Sequence, residues 1–116
     1  DNLMSTADLL QECRDILGCA IFINSGYRCL LLNNALPGAS KTSDHMKGLA
    51  SDIRSPSFGS PEDIMKKLHS AGVEVDQCFC EGSWLHISKR KLGKNRMMYG
   101  YYLYDDKLKK RVFKPI

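Results

Sequence analysis

Two short runs of alternating character, "VEVDQCFCE" and "WLHISKR", meet at Gly82-Ser83. A glycine-containing turn of two residues closes a β-hairpin, and its length fixes the register of both strands. Glu81 then pairs with Trp84, Cys80 with Leu85, and Phe79 with His86. Successive side chains alternate across a sheet, so Glu81 and His86 project from one face, one pair apart. Cys78 and Cys80 project from the other face with Leu85 and Ile87, where they read as core residues.

The rest of the chain supplies partners for that hairpin. Residues 3–17 place Leu3, Ala7, Leu10 and Leu17 at near-helical spacing and stop at Gly18. "CAIFINSGYR" reads as a buried strand ending at Gly26, and "CLLLNNAL" as a short helix closed by Pro37-Gly38. "LASDIRS" alternates and reads as a strand. "SPEDIMKKLHSAG" carries a complete set of helix signals: Ser60 at the N-cap, Pro61 behind it, Glu62 and Asp63 in the first turn, and Gly72 as the stop. The tail "RMMYGYYLYDDKLKKRVFKPI" has room for one more hairpin around Asp105-Asp106. This order predicts an α+β fold with a mostly antiparallel central sheet flanked by helices. A length of 116 residues predicts a single domain over 1–116.

Charge and cysteine content restrict the setting. "SKRKLGKNR" and "KLKKR" together hold nine Lys or Arg, much of the formal net charge of +4. That basic third fits a nucleic-acid patch, attraction to an anionic polymer such as a bacterial cell wall, or a solvated surface. No aromatic–basic nucleic-acid motif accompanies it, so no nucleic-acid partner is expected. The five cysteines, at 13, 19, 29, 78 and 80, are odd in number and lack C-x-x-C spacing. They predict reduced thiols rather than a disulfide framework or a thiolate zinc site. No apolar run has the length of a membrane span, and "DNLMSTADLL" has no basic n-region or apolar core. The expectation is synthesis in a cytosol without a signal peptide, no membrane partner, and a monomer.

The stretch "KTSDHMKGLASDIR" sets His45 seven residues before Asp52 among residues of little bulk. A loop histidine and a capping aspartate are the bland reading. Alternation in "GLASDIRS" puts Ala50, Asp52 and Arg54 on one face, and Ala50 leaves space beside Asp52. Gly48 lets the loop bearing His45 fold back toward the strand. Of the other histidines, His69 ends the 61–71 helix, where a cation complements the dipole. His86 lies inside a strand, where both ring nitrogens need partners. A satisfied core histidine would be the favoured reading of His86 alone. Together with His45 and Asp52 it makes a metal site of the kind in which zinc takes three protein ligands and leaves a fourth position open. Glu81, on the His86 face, is either a turn residue facing solvent or a general base beside that position.

"INSGYRC", "SDHMKGLASDI" and "VDQCFCEGSWLHIS", taken together and in this order, resemble the zinc D-Ala-D-Ala carboxypeptidase family of peptidoglycan peptidases, which shares its fold with the hedgehog signalling domain. The family's S-x-H-x-x-G-x-A-x-D motif stands here as Ser43, His45, Gly48, Ala50 and Asp52, and its W-x-H as Trp84-Leu85-His86. The resemblance implies a Zn2+ cofactor held by His45, Asp52 and His86. It implies that Arg28, of Ser25-Gly26-Tyr27-Arg28, binds a substrate carboxylate or polarises the scissile carbonyl, and that Ser43 helps hold substrate. Many relatives place a catalytic Glu three residues before the last His, where this chain has Ser83. A smaller branch with D-Q-x-x-x-E before W-x-H is closer, and it makes Glu81 the catalytic base. The implied partner is the peptidoglycan stem peptide. The implied place of action is the bacterial cell wall or periplasm, with small phage lysins as the nearest analogy. Carboxypeptidase and L-Ala-D-residue endopeptidase action both fit. A non-catalytic zinc module of the same fold and a basic nucleic-acid-binding protein are the competing readings.

Overall fold

The computed structural model describes residues 2–25, 49–90 and 93–116. The chain runs α1 (Asn2–Leu17), β1 (Phe22–Ser25), β2 (Ala50–Arg54), α2 (Pro61–Ser70), β3 (Gln77–Cys80), β4 (Leu85–Ser88), β5 (Met98–Asp105) and β6 (Lys110–Pro115). The strands form one six-stranded sheet in the order β1-β2-β4-β3-β5-β6. The α+β expectation holds, but the sheet is mixed: β3 and β5 run parallel, with Gln77 opposite Met98 and Cys80 opposite Tyr101. The expected short helix in "CLLLNNAL" lies outside the described residues.

The hairpin has the register that its turn length dictates, Phe79 opposite His86 and Cys80 opposite Leu85, with the Glu81 amide donating to the Trp84 carbonyl at 3.0 Å. Gly82 sits at φ +89°, the left-handed region that a side chain resists. α2 begins with a capping box: the Asp63 amide donates to Ser60 Oγ, and the Ser60 amide donates to Asp63 Oδ2.

One face of the sheet packs on the helices. Ile53, Cys78, Cys80, Leu85, Ile87 and Tyr99 meet Leu9, Cys13 and Leu17 of α1 and Ile64, Met65 and Leu68 of α2 in one buried cluster. The α1 stripe differs from the expected one. Leu9, Cys13 and Leu17 recur every four residues and are buried, whereas Ala7 is exposed and Leu10 only half-buried. "FINS" is also a strand, but not a buried one: Phe22 is 49% and Ile23 57% exposed. Among the described residues it is an edge strand of the sheet, paired with β2 alone.

The parallel step comes from the connection 89–97. Ser88 ends β4 beside the start of β3, and Met98 starts β5 on the far side of that same point. The connection therefore passes around the first residue before β3, Asp76. This carboxylate is 2% exposed and takes Arg96 Nε at 2.9 Å, Arg96 Nη2 at 2.8 Å, the Arg96 amide at 3.1 Å and Arg90 Nε at 3.1 Å. The two arginines come from opposite ends of the connection, so Asp76 ties the crossover shut. The Arg96 guanidinium holds the Asp76 carboxyl below the usual carboxylate range, against the opposing effect of burial.

Candidate metal centre

The face away from the helices carries the side chains of interest. Adjacent antiparallel strands place Asp52 of β2 directly opposite His86 of β4. The β3–β4 hairpin places Glu81 one pair from His86 on that face. One ligand-capable atom from each of Asp52, Glu81 and His86 lies within 4.8 Å of the others. His86 Nδ1 is 3.2 Å from Asp52 Oδ1 and 3.7 Å from Glu81 Oε2. All three side chains are mostly buried, which strengthens their electrostatic coupling.

The other ring nitrogen explains what this geometry suits. His86 Nε2 is 3.1 Å from Gln77 Oε1. An amide oxygen accepts, so in this pairing Nε2 is the donor, and Nδ1 is the ring nitrogen that faces the two carboxylates. A histidine that donates its outer N–H to an oxygen while its inner nitrogen faces acidic ligands is the usual arrangement around a protein-bound metal. The 3.2 Å between Nδ1 and Oδ1 is also close to the separation of about 3.3 Å between two ligands of a tetrahedral zinc at about 2.0–2.1 Å each. The donor set is hard and borderline, imidazole with carboxylate and no thiolate, which fits zinc. The cysteines face the opposite way: Cys78 and Cys80 are buried on the helix side, and Cys80 Sγ lies 3.8 Å from Met65 Sδ. Cys13, Cys19, Cys78 and Cys80 are free thiols.

Of the residues singled out in the sequence, the structure brings together Asp52, Glu81 and His86. Arg28, Ser43 and His45 lie outside the described residues. His69 stands apart, in the last turn of α2 against the Tyr99 ring at 4.9 Å. Asp76, the other carboxylate of the D-Q-x-x-x-E segment, is committed to Arg90 and Arg96. Its neighbour Gln77 has no role in the sequence reading, yet its Oε1 lies 3.1 Å from His86 Nε2. The signal was there: Gln77 shares parity with Phe79 and Glu81 and stands one pair from His86 on the same face.

A second residue missed by the sequence comes from the tail. β5 and β6 extend the site face, with Tyr102 opposite Phe113 and Tyr104 opposite Arg111. Phe79 stacks on His86 at 5.9 Å, on Tyr102 at 5.6 Å and against Phe113 at 4.8 Å. Gly100 leaves this layer room. A Cβ there would meet the Lys114 carbonyl oxygen and, at 2.9 Å, the Phe113 ring. Arg111 lies over the Tyr102 ring at 4.9 Å and reaches Glu81 Oε1 at 3.1 Å. The Glu81 carboxylate is thus held between a guanidinium and the His86–Asp52 pair.

A family model described as Peptidase M15 matches residues 1–88 of the chain. The match contains Asp52, Gln77, Glu81 and His86 and ends before the β5–β6 hairpin. No curated protein and no solved structure matches the chain. Among the described residues, no helix is long and apolar enough to cross a membrane.

Proposed function

The chain belongs to the peptidase M15 family, and from that premise we propose that it is a zinc metallopeptidase acting on D-amino-acid-containing peptides of bacterial peptidoglycan. The observation that carries this reading is the meeting of Asp52, Glu81 and His86 on one face of the sheet, with Gln77 at His86 Nε2 and Nδ1 facing the two carboxylates. His86 and Asp52 would hold the zinc, with His45 as the third ligand. Bound zinc supplies a Lewis acid that lowers the pKa of a water and polarises the scissile carbonyl. Glu81 would act as the general base, taking a proton on Oε2 and returning it to the leaving amine. Arg28 and Ser43 bind the substrate, with the Arg28 fork suited to a terminal carboxylate.

The same reading covers the finer points. The chain is a monomeric single domain of hedgehog/DD-peptidase-like fold, close to small phage lysins. It meets the stem peptide at the cell wall and cuts as a D-Ala-D-Ala carboxypeptidase or an L-Ala-D-residue endopeptidase. The test is metal analysis of the purified protein together with digestion of defined muropeptides, read by product mass. One zinc per chain and either free D-Ala or a cut between L-Ala and a D-residue are expected. Asp52→Ala loses the zinc and the cleavage together. A zinc-loaded wild-type protein that leaves every muropeptide intact overturns the peptidase reading, and full zinc occupancy in Asp52→Ala overturns the ligand assignment.

A further inference from the structure

We infer that Arg111, carried by the C-terminal hairpin beyond the family match, is a positioning residue that holds Glu81 in the site; this rests on the reading of Glu81 as the base. Glu81 is the last residue before the Gly82-Ser83 turn. A glutamate there, on a three-torsion side chain beside solvent, ordinarily samples many rotamers. Here its side chain is only 12% exposed. Oε2 faces His86 Nδ1 at 3.7 Å, and Oε1 is taken by Arg111 Nη2 at 3.1 Å. The two oxygens are thereby given different surroundings, one toward the metal ligands and one toward a fixed cation.

Arg111 is itself fixed. Its Nη2 also donates to the Tyr102 carbonyl at 3.1 Å, and its guanidinium lies on the Tyr102 ring. That ring rests on Phe79, which rests on His86. β6 is two strands away from β3, a distance of roughly 9.5 Å at ordinary strand spacing, and β5 lies between. Only a long side chain crosses that gap, and a planar one crosses it lying flat on the Tyr102 ring. Lysine has the length but not the plane or the fork. Gly100 completes the arrangement, because a side chain there would displace Phe113 and with it the layer under Arg111. The Tyr-rich tail is therefore a wall of the site as well as an added pair of strands.

The test is a double-mutant cycle on the full chain, Arg111→Ala against Glu81→Gln, read two ways. In the zinc-free protein, urea unfolding reads the contact itself. The two changes should be non-additive by about three- to tenfold in the unfolding constant, in the range for residues in direct contact. In the zinc-loaded protein with a muropeptide substrate, Arg111→Ala should lower kcat by about 10–100-fold with KM within about threefold. It should do nothing further in the Glu81→Gln background. Arg111→Lys, which keeps the charge and loses the fork, should fall between wild type and Arg111→Ala. Additive unfolding effects overturn the inference. So does a rise in KM that persists with Glu81→Gln, since Arg111 would then touch substrate directly. If the wild-type protein cleaves nothing, the peptidase reading fails by itself and the unfolding cycle alone decides whether Arg111 holds Glu81.

Discussion

Replacing Asp76 by alanine should loosen the parallel junction between β3 and β5. The carboxylate accepts three hydrogen bonds from Arg96 and an ion pair from Arg90, all between 2.8 and 3.1 Å. Hydrogen bonds to charged groups contribute about 1.5–3 kcal/mol each, so a simple sum would reach well above 5 kcal/mol. That sum is too large here. The arginine side chains are 42% and 45% exposed and regain water when the carboxylate leaves. A net loss of about 2–4 kcal/mol is expected, roughly 30- to 1,000-fold in the unfolding constant. For a chain of this size that lowers Tm by about 8–16 °C.

The pH dependence gives the prediction its sign. Arg96 depresses the folded-state pKa of Asp76, while the unfolded chain titrates near the ordinary value of about 3.9. The folded protein binds this proton less readily than the unfolded one. The stabilisation is therefore fully present above about pH 4 and is lost as pH falls through the folded value. Urea unfolding followed by the fluorescence of the single tryptophan, Trp84, measures it in wild type and Asp76→Ala. The gap between the two should be the same at pH 7 and pH 5 and should shrink at about pH 3. A gap below about 1 kcal/mol at pH 7, or one that does not shrink in acid, would refute the claim that this carboxylate ties the crossover as an ion.

Three further outcomes follow from named contacts. Gln77→Leu removes the acceptor from His86 Nε2 and should weaken zinc binding by about 10–100-fold in a chelator competition while leaving Tm nearly unchanged; unchanged affinity would mean that Gln77 does not set the tautomer. Gly100→Ala forces a methyl group against the Lys114 carbonyl and the Phe113 ring and should cost about 1–3 kcal/mol by thermal unfolding, with a wild-type Tm counting against the close packing of β5 on β6. Burial pushes the Cys13 thiol up to about 12, the Cys80 thiol up to about 11, and the Cys78 thiol well above its ordinary range. All three should react with a thiol reagent at pH 8 at least ~100-fold more slowly in the native protein than in urea, and the cobalt-substituted protein should show no thiolate-to-metal charge transfer.

The parts of this fold that were legible in the sequence are those in which the cause lies close to the effect along the chain. Gly82-Ser83 sets the pairing of Phe79 with His86 because a turn constrains its own neighbours. Ser60, Pro61 and Asp63 announce the start of α2 because a capping box closes within four residues. Alternation in "ASDIR" put Asp52 on the correct face, but which strand it faces is a fact about the sheet, and nothing local encodes the Asp52–His86 pairing. In α1 the packed stripe runs through Cys13, while Ala7, apolar in the sequence pattern, is exposed. A small thiol behaves there as a hydrophobe, which a reading of cysteines as chemistry overlooks.

Arg111 marks where local reading ends. A hairpin in the tail is expected from the sequence, but a turn at Asp105-Asp106 would pair Tyr104 with Lys107; the observed turn is the four residues 106–109, which closes Asp105 on Lys110 and sets Arg111 opposite Tyr104. What could not be expected is the neighbour of β5. "MYGYYLYD" would pair as well at either open edge of a sheet, since both of its faces are aromatic and its only turn, at the C-terminal end, fixes β6 and leaves the other flank unspecified. The choice is made by the connection 89–97, whose two arginines close on Asp76 and bring Met98 alongside Gln77 in parallel. Once β5 lies against β3, Tyr102 must cover Phe79 and Arg111 must reach across it to Glu81. An ion pair at the start of β3 thus determines which cation stands beside the carboxylate at its end. The site and the crossover are parts of one arrangement, and a change that frees the connection should disturb Glu81 from the far end of the strand.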